Sequence, residues 1–214
     1  DKSLFLTGKA GTGKTTFLNA LRQNIYKKCI VVAPTGIAAI NANGVTIHSF
    51  FNLPLGPFLP GKSQRGTSIE INKKKLIKEL ELLIIDEVSM LRADTLDAID
   101  YILRTTRKKE DVPFGDVQVL FVGDLCQLSP IIADEEWRQI KQYYRGINFL
   151  NALSIKIAPP VYLELTQVYR QTDDNFIQLL NQVRTGNCSQ REVDLINTCY
   201  KPDVVNEKSP VILT

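Results

Sequence analysis

Short apolar runs recur along the chain, and stretches with helical spacing lie between them. Each run has a length typical of a strand that is buried on both faces of a sheet. The runs are SLFLT (3–7), CIVVA (29–33), LLIID (82–86), VQVLFV (117–122) and VYLEL (161–165). Elsewhere, apolar residues such as Leu96, Ile99 and Leu103 fall on one face of a helix. Strands that alternate with helices predict an α/β fold, in which helices cover both faces of a parallel sheet.

Residues with capping preferences predict where several helices begin and end. Helices are predicted over about residues 14–26 and 95–109. The acidic pair at 173–174 suits the start of a further helix, and Gly186 suits its end. The sequence SQRE at 189–192 is a capping box, in which serine and glutamate satisfy each other's backbone N–H groups, and it predicts one more helix.

The stretch LPLGPFLPGKSQR at 53–65 is rich in Pro and Gly and cannot form a regular element. It predicts a long surface loop on which Phe58 is exposed. Loops of this length in a compact domain are often functional, and a tolerated insertion is the open alternative.

Composition limits the class of protein. The chain has 214 residues, of which 44% are hydrophobic and 23% charged, as in an ordinary globular domain. Its apolar runs are too short to cross a bilayer, and its net charge of +3 permits nucleic-acid binding without indicating it. The start at Asp1 and the apolar end predict a fragment of a longer protein. An intracellular, reducing compartment is favoured, because no disulfide or zinc spacing links Cys29, Cys126, Cys188 and Cys199.

The first predicted strand leads directly into GKAGTGKTT at 8–16, which matches the pattern GxxxxGK[ST] of a phosphate loop. Glycines there let successive backbone N–H groups turn towards phosphate oxygens, and the following helix adds the positive end of its dipole. Lys14 would reach the β- and γ-phosphates, and the Thr15 hydroxyl would bind Mg²⁺. The alternative is a plain glycine-rich turn. The predicted nucleotide-binding residues are Gly8, Lys9, Ala10, Gly11, Thr12, Gly13, Lys14, Thr15 and Thr16.

Polar residues follow the later strands, at the sheet edge where parallel α/β folds bind ligands. Asp86 would hold Mg²⁺, directly or through water, and Glu87 could orient or deprotonate an attacking water. Asp124 and Gln127 follow the next strand, and a glutamine there can position water and sense the γ-phosphate. Arg170 lies beyond the last strand. It would stabilise charge on the transferring phosphate or, alternatively, form a surface salt bridge.

The stretch APTGIAAINANGVTIHSFF at 33–51 offers hydroxyls, backbone N–H groups, the only histidine and paired aromatic residues. Such groups suit a single-stranded nucleic acid, which needs phosphate donors and flat surfaces for its bases. The alternative places Phe50 and Phe51 in the core and makes His48 a buried, hydrogen-bonded ring.

Together these segments resemble the first motor domain of a Pif-type DNA helicase, of superfamily one, group B. The matching stretches are GKAGTGKTT, APTGIAAINANGVTIHSFF, LLIIDEVSML, VLFVGDLCQLSP and LTQVYRQ, and residues 94–118 are similar to the family's own signature. The resemblance implies a RecA-like fold and an ATP- and Mg²⁺-dependent motor that moves 5′ to 3′ on single-stranded DNA. It also implies forked or structured duplex DNA as substrate, a monomer, and a second motor domain beyond residue 214. DNA repair, recombination and telomere maintenance are the implied processes.

By the same resemblance, Lys14 and Thr15 bind phosphate and metal, and Gln127 and Arg170 sense and contact the γ-phosphate. Asp86 and Glu87 serve metal and water. The implied DNA-contacting residues are Thr35, Gly36, His48, Ser49 and Phe50.

The chain departs from the family pattern in three respects. Ser129 stands where the family more usually has proline, and Asp116 replaces a glycine of the signature. The upstream glutamine segment that would recognise adenine is not in this sequence.

The family would place the protein in the cytoplasm of a prokaryote, or in the nucleus or mitochondrion of a eukaryote.

Other classes of phosphate-loop protein stay open at this point. A small-molecule phosphotransferase is disfavoured, because Asp86, Glu87 and Gln127 suit water as the nucleophile. A regulatory module that binds nucleotide without hydrolysis has no need of Glu87. A guanine-nucleotide switch is less consistent with the sequence, since DEVS does not match DxxG and no NKxD occurs.

Overall fold

The computed structural model describes residues 2–61, 69–169, 173–198 and 200. The chain divides into two compact units, residues 1–170 and 171–214, and each is described by itself. The first unit contains a six-stranded sheet. Its strands are β1 (Leu4–Gly8), β2 (Cys29–Ala33), β3 (Val45–Thr46), β4 (Leu82–Ile85), β5 (Gln118–Gly123) and β6 (Val161–Leu165).

Helices connect these strands. They are α1 (Lys14–Asn24), α2 (Gly36–Asn41), α3 (Ile47–Phe51), α4 (Ile71–Glu79), α5 (Ala93–Arg107), α6 (Asp134–Ile140) and α7 (Leu153–Ile157). Short 3₁₀ turns occur at Val88–Met90, Pro113–Asp116 and Phe149–Asn151. The second unit contains α8 (Asp174–Thr185) and α9 (Gln190–Thr198). Within the described part of the chain, no helix is both long enough and apolar enough to cross a membrane.

The strand order is β3-β2-β4-β5-β1-β6, and every neighbouring pair is parallel. The predicted α/β fold with a parallel sheet is therefore confirmed, and each predicted strand is present within one residue of its expected bounds. The sequence missed β3, because a strand of two residues shows no periodicity. Since all strands run the same way, their carboxyl ends meet at one edge of the sheet.

The sheet has an apolar core on each face, because side chains of a strand point alternately to opposite sides. Phe5, Leu83 and Phe121 lie in one cluster, which includes the face of α5 that carries Leu96, Ile99 and Leu103. Leu6, Ile84 and Val122 lie in the other cluster, together with Leu18 of α1. The predicted coverage of both faces is thus confirmed.

Three aspartates at intervals of three residues on α5 are buried, although charged side chains are rarely buried without partners. Each carboxylate accepts backbone N–H groups of another segment, which satisfies the buried charge and fixes that segment against α5. Asp94 accepts the N–H of Phe58, and Asp100 accepts the N–H of Phe114. Asp97 accepts the N–H groups of Leu153 and Ser154.

The turn after α5 has a backbone that favours glycine at the position of Asp116. Gly115 and Asp116 both have positive φ, +59° and +63°. This left-handed backbone favours glycine, although aspartate tolerates it better than most residues. A side chain could not replace Gly115, because its Cβ would lie 2.7 Å from the carbonyl oxygen of Leu103.

The predicted boundaries in the second unit are confirmed by their hydrogen bonds. The Asp173 carboxylate accepts the N–H groups of Asn175 and Phe176 at 3.0 and 3.1 Å, so it caps the start of α8. Gly186 follows the end of α8 with a φ of +70°. The N–H of Ser189 donates to the Glu192 carboxylate at 2.8 Å, which is the glutamate half of the predicted capping box.

The stretch 53–65 is described as far as residue 61, and its remaining residues lie outside the described part of the chain. The expectation of an exposed Phe58 is wrong. Its side chain is half-buried, with the ring centre 6.0 Å from that of Tyr101 on α5. Leu55, by contrast, is 97% exposed.

Candidate functional site

The loop between β1 and α1 has a backbone that glycine alone accommodates well. Gly8, Gly11 and Gly13 have φ values of +153°, +78° and +89°. A Cβ on Gly8 would lie 2.6 Å from the carbonyl oxygen of Leu165 and 2.7 Å from Oγ1 of Thr12. The glycines of the predicted phosphate loop are therefore required by the geometry of this turn.

Lys14 lies within the same loop. Its Nζ donates to the carbonyl oxygens of Gly8 and Lys9 at 2.7 and 3.0 Å. The buried Thr12 closes the turn through its hydroxyl, which donates to the Lys9 carbonyl at 2.8 Å. The ammonium group is thus held beside the backbone that would surround a phosphate.

The first turn of α1 has features that suit the binding of an anion. Gly13 is its N-cap, and among the described residues no side chain caps this end and no acid lies in the first turn. Backbone N–H groups at a helix N-terminus attract phosphate through hydrogen bonding and the helix dipole. Thr15 and Thr16 are exposed in this turn, so their hydroxyl groups are accessible. Ala10 in the preceding loop is exposed as well.

Asp86 and Glu87 directly follow β4. The N–H of Glu87 donates to the Asp86 carboxylate at 2.9 Å, and Glu87 has a left-handed backbone with φ +52°. Strain of this kind in a non-glycine residue is typical of functional sites. The neighbouring strand approaches closely, since a Cβ on Gly123 would lie 2.9 Å from the Val88 nitrogen. This approach brings Asp124 beside the pair.

The charges of this site influence one another. Burial raises the pKa of Asp86 above its usual value of 3.8, and the Lys14 ammonium opposes that rise. Burial also raises the pKa of Glu87, as do the charges of Asp86 and Asp124, while Lys14 again lowers it. A carboxylate whose pKa is shifted towards neutrality is better matched to accepting a proton from water.

The raised pKa of Asp86 predicts that Asp86→Asn stabilises the chain at pH 7. A folded-state pKa above the unfolded value means that ionisation costs stability as the pH rises through it. The neutral amide avoids this cost, so we expect a midpoint of thermal unfolding that is a few degrees higher. The gain should disappear below pH 3.8, where the aspartate is protonated as well. The exposed Asp111→Asn is the control, and an equal gain in that variant would contradict the prediction.

Gln127 and Asp124 lie in the turn after β5. Asp124 is 1% exposed, and its carboxylate accepts the N–H of Cys126 at 3.1 Å. Its carbonyl oxygen accepts the N–H of Gln127 at 2.9 Å, which leaves the Gln127 side chain exposed at the carboxyl edge. Arg170 lies outside the described residues, so its role stays a prediction.

The donors for a divalent cation are oxygen atoms, as Mg²⁺ prefers. Among the described residues, no group of three or more His, Cys, Asp or Glu side chains could hold a metal ion by itself. Mg²⁺ in nucleotide sites takes one or two protein ligands together with phosphate oxygens and water. The Thr15 hydroxyl and the Asp86 carboxylate fit that donor set.

The residues at the end of β2 cap the short helix α2. The Thr35 hydroxyl accepts the N–H of Ala38 at 3.2 Å, and Gly36 is exposed beside it. Asp86 is close to this strand, because its N–H donates to the carbonyl oxygen of Val32 at 2.9 Å. The segment predicted to contact DNA therefore begins one strand away from the acidic pair.

The aromatic pair of that segment belongs to the core, as the alternative interpretation stated. Phe50 and Phe51 are 5% and 0% exposed, and their rings pack edge to face at 4.8 Å. The Phe50 ring consequently has no free face on which a base could stack.

His48 and Ser49 are exposed on the other side of α3, so the buried alternative for His48 is wrong. Partial desolvation and the charge of Arg92 lower the His48 pKa below its usual value of 6.5, which favours the neutral ring at pH 7.

A cavity of about 660 Å³ that the sequence did not indicate lies beside the phosphate loop. It is lined by the start of α1 and by residues 164–167 and 169, and the N–H of Tyr169 donates to the Gly11 carbonyl at 2.8 Å. Its volume is typical of small-molecule sites. Phe17 and Tyr169 bring exposed aromatic surface to it, and only the tertiary structure brings these two residues together.

The chain is similar to known helicases. The family model "PIF1-like helicase" matches residues 1–194. ATP-dependent DNA helicase PIF1 of Xenopus laevis is 33% identical over 193 residues, which are 88% of this chain and 28% of that protein. PIF1 of Saccharomyces cerevisiae is 35% identical over 191 residues, 86% of this chain and 21% of that protein. The chain thus spans about a quarter of the length of these curated relatives.

A solved structure shows the same fold. The crystal structure of Pif1 helicase from Bacteroides in complex with ADP-AlF3 and ssDNA is 44% identical, with a TM-score of 0.91. The similarity covers 97% of this chain and 48% of that one. The expected RecA-like phosphate-loop fold is therefore confirmed. Because the family model matches nearly the whole chain, this protein belongs to the PIF1-like helicase family.

Proposed function

We propose that this chain is the first motor domain of an ATP-dependent DNA helicase. It couples ATP hydrolysis to 5′-to-3′ movement on single-stranded DNA, and it unwinds duplex DNA when joined to a second motor domain. The observation that carries the proposal is a shared sheet edge. The phosphate loop, the Asp86–Glu87 pair and the segment that begins at Thr35 all follow the carboxyl ends of parallel strands.

The groups of the site suit hydrolysis of a triphosphate. The N–H groups of the loop and of the first turn of α1 hold phosphate oxygens, and Lys14 adds positive charge to them. Thr15 and Asp86 would hold Mg²⁺, which would supply positive charge to the phosphates. Glu87 accepts the proton of the attacking water, which then bonds to the γ-phosphorus as ADP leaves. The exposed Gln127 contacts that phosphate and Arg170 stabilises its charge, while the cavity beside the loop accommodates the nucleoside.

Exposed groups on α2 and α3 contact the DNA strand. Gly36, His48 and Ser49 are exposed, and Thr35, next to Gly36, carries the hydroxyl that caps α2. The exposed His48 ring offers a hydrogen-bonding group to the strand. The family does not favour a small-molecule phosphotransferase.

The remaining partners and the location belong to the same proposal. A second motor domain of the same chain completes the ATP site, and the protein acts as a monomer on forked or structured duplex DNA. The compartment is intracellular, cytoplasmic in a prokaryote and nuclear or mitochondrial in a eukaryote. DNA repair, recombination and telomere maintenance are the processes in which such a motor takes part.

The test compares ATP hydrolysis by the full-length protein with and without single-stranded DNA. We expect strong stimulation by DNA, and unwinding of a duplex with a 5′ single-stranded tail. Residues 1–214 alone should unwind nothing, because closure of two domains over the nucleotide is needed for a complete site. Hydrolysis that is indifferent to DNA would contradict the proposed partner. Robust unwinding by residues 1–214 would contradict the need for the second domain.

A further inference from the structure

The helix α4 presents a row of lysines to the solvent. Lys74, Lys75 and Lys78, here called the lysine face, are all exposed. Ile77 on the same helix is fully buried, and Leu80, directly after the helix, is 5% exposed. At 3.6 residues per turn, the three lysines fall within about 100° of the helix circumference. The helix therefore packs on the core by one side and turns a concentrated positive charge outwards on another.

Residues 70–79 carry much of the positive charge of the chain. Four lysines and two glutamates give this stretch a net charge of +2, against +3 for all 214 residues. Both glutamates already have partners, since Glu70 lies 3.9 Å from Lys73 and Glu79 lies 3.0 Å from Lys28. Among the described residues, the lysine face takes part in no ion pair. Its charge is thus available to an external anion.

The start of α4 lies against the exposed end of α3. Nζ of Lys73 donates to the Ser49 carbonyl oxygen at 2.7 Å, and the Lys73 side chain is only 25% exposed. At the other end of α4, Arg107 donates to three backbone carbonyl groups. Because both ends of the helix are fixed in this way, the lysine face has a defined position beside α3, where the single strand is proposed to bind.

The chemistry of the lysine face suits the backbone of duplex DNA. Lysine binds phosphate as a point charge and reads no base. The helix, INKKKLIKE, contains no aromatic residue. Proteins that hold single strands usually stack the bases on aromatic side chains, so this surface is poorly suited to a single strand. Duplex DNA carries a negative charge about every 1.7 Å along its axis, so several lysines of one helix can contact phosphates at once.

We propose that the lysine face of α4 is a contact surface for the double-stranded part of a forked DNA. The inference rests on the proposed function. It assigns the duplex to a surface distinct from the residues proposed to contact the single strand. Since the face borders α3, a duplex bound there lies next to that strand. Contacts with phosphates carry no sequence information, so the surface accepts duplexes of any sequence.

The test measures DNA binding by the full-length protein as the salt concentration is varied. The probes are a fluorescein-labelled blunt duplex and one of its strands alone, followed by fluorescence anisotropy. The variant combines Lys74→Gln, Lys75→Gln and Lys78→Gln. For the duplex, we expect the slope of log affinity against log salt to become shallower by about 2 to 3, since each phosphate contact contributes about 0.9.

Two further readouts separate the duplex from the single strand. At about 0.1 M salt, the same triple variant should bind the duplex about tenfold more weakly or worse. Its affinity for the single strand, and the stimulation of ATP hydrolysis by that strand, should be unchanged. Replacing the same three lysines by arginine keeps the charge and should leave duplex binding as in the wild type.

A matched control removes the same charge from α6 and the turn that follows it. Residues 134–145 contain three basic and three acidic side chains, so their net charge is zero. Arg138, Lys141 and Arg145 are exposed there. Their combined substitution by glutamine should leave the slope for the duplex unchanged.

Equal changes of slope in the two triple variants would overturn the inference, because net charge alone would then explain the effect. An unchanged slope in the α4 variant would overturn it as well, as would an equal loss of affinity for the single strand. Glutamine is nearly as good a helix former as lysine, so the thermal unfolding midpoint should not change.

If the triple variant does not fold, the double substitution of Lys74 and Lys78 by glutamine decides in the same way, with an expected change of slope of about 1 to 2. A wild-type protein whose ATP hydrolysis is not stimulated by single-stranded DNA would instead refute the proposed function, so the two failures are distinguishable.

Discussion

Glu87→Gln is expected to reduce DNA-stimulated ATP hydrolysis by the full-length protein about 10²- to 10⁴-fold, the usual contribution of a general base. Glutamine has nearly the same shape but cannot accept a proton from water. Nucleotide affinity should be unchanged, because Lys14 and the loop glycines are untouched. Steady-state phosphate release and titration with a fluorescent ATP analogue measure the two quantities. The exposed Glu110→Gln serves as the control.

The dependence on pH gives an independent check of the same residue. Burial, together with the charges of Asp86 and Asp124, raises the Glu87 pKa above its usual value of 4.5. Since the base must be ionised, hydrolysis should decline as the pH falls through this raised pKa. The residual activity of Glu87→Gln should lack that decline. Wild-type turnover in the variant would show that Glu87 is not the base.

Arg107→Ala is expected to cause a large loss of stability, about 3 kcal/mol, as for a charged donor with several hydrogen bonds. Nη1 of Arg107 lies within 2.9 Å of the carbonyl oxygens of Ile77, Lys78 and Leu80 at the end of α4. Its Nε donates to the Gly115 carbonyl oxygen at 2.7 Å. Carbonyl groups at a helix C-terminus lack partners within the helix, so the substitution leaves several of them unsatisfied.

The measurement is urea unfolding of residues 1–214, followed by far-ultraviolet circular dichroism. Arg22→Ala is the matched control, because Arg22 also donates to two carbonyl groups, those of Ala42 and Asn43, at 2.9 and 3.4 Å. We expect the control to lose about 1 kcal/mol. Equal losses in the two variants would mean that the contacts of Arg107 with α4 contribute little.

The segment 94–118 contains both this arginine and the buried aspartates of α5. Asp94, Asp97, Asp100 and Arg107 each bind the backbone of a segment that is distant along the chain. In this protein the segment therefore places on one helix several charged side chains that hydrogen-bond the backbone of other segments.

Several features of the fold and site were predictable from the sequence, because their causes are local. Buried parallel strands are continuous apolar runs, so five strands were found within a residue of their bounds. The helix ends were predictable as well, because Asp173 and Ser189 form hydrogen bonds within one turn of the chain and Gly186 needs only its own positive φ. The glycines of the phosphate loop belong to this class, since the turn itself requires their φ values.

Other features depend on residues that only the folded chain brings together. Phe58 was expected to be exposed, yet it packs on Tyr101 of α5. Phe50 enters the core while the adjacent Ser49 remains exposed, and a helix of five residues is too short for periodicity to decide between them. Sequence alone determined which groups are present and which strand each one follows. Tertiary structure decided which of them are buried and paired, because burial and long-range hydrogen bonds depend on partners far away along the chain.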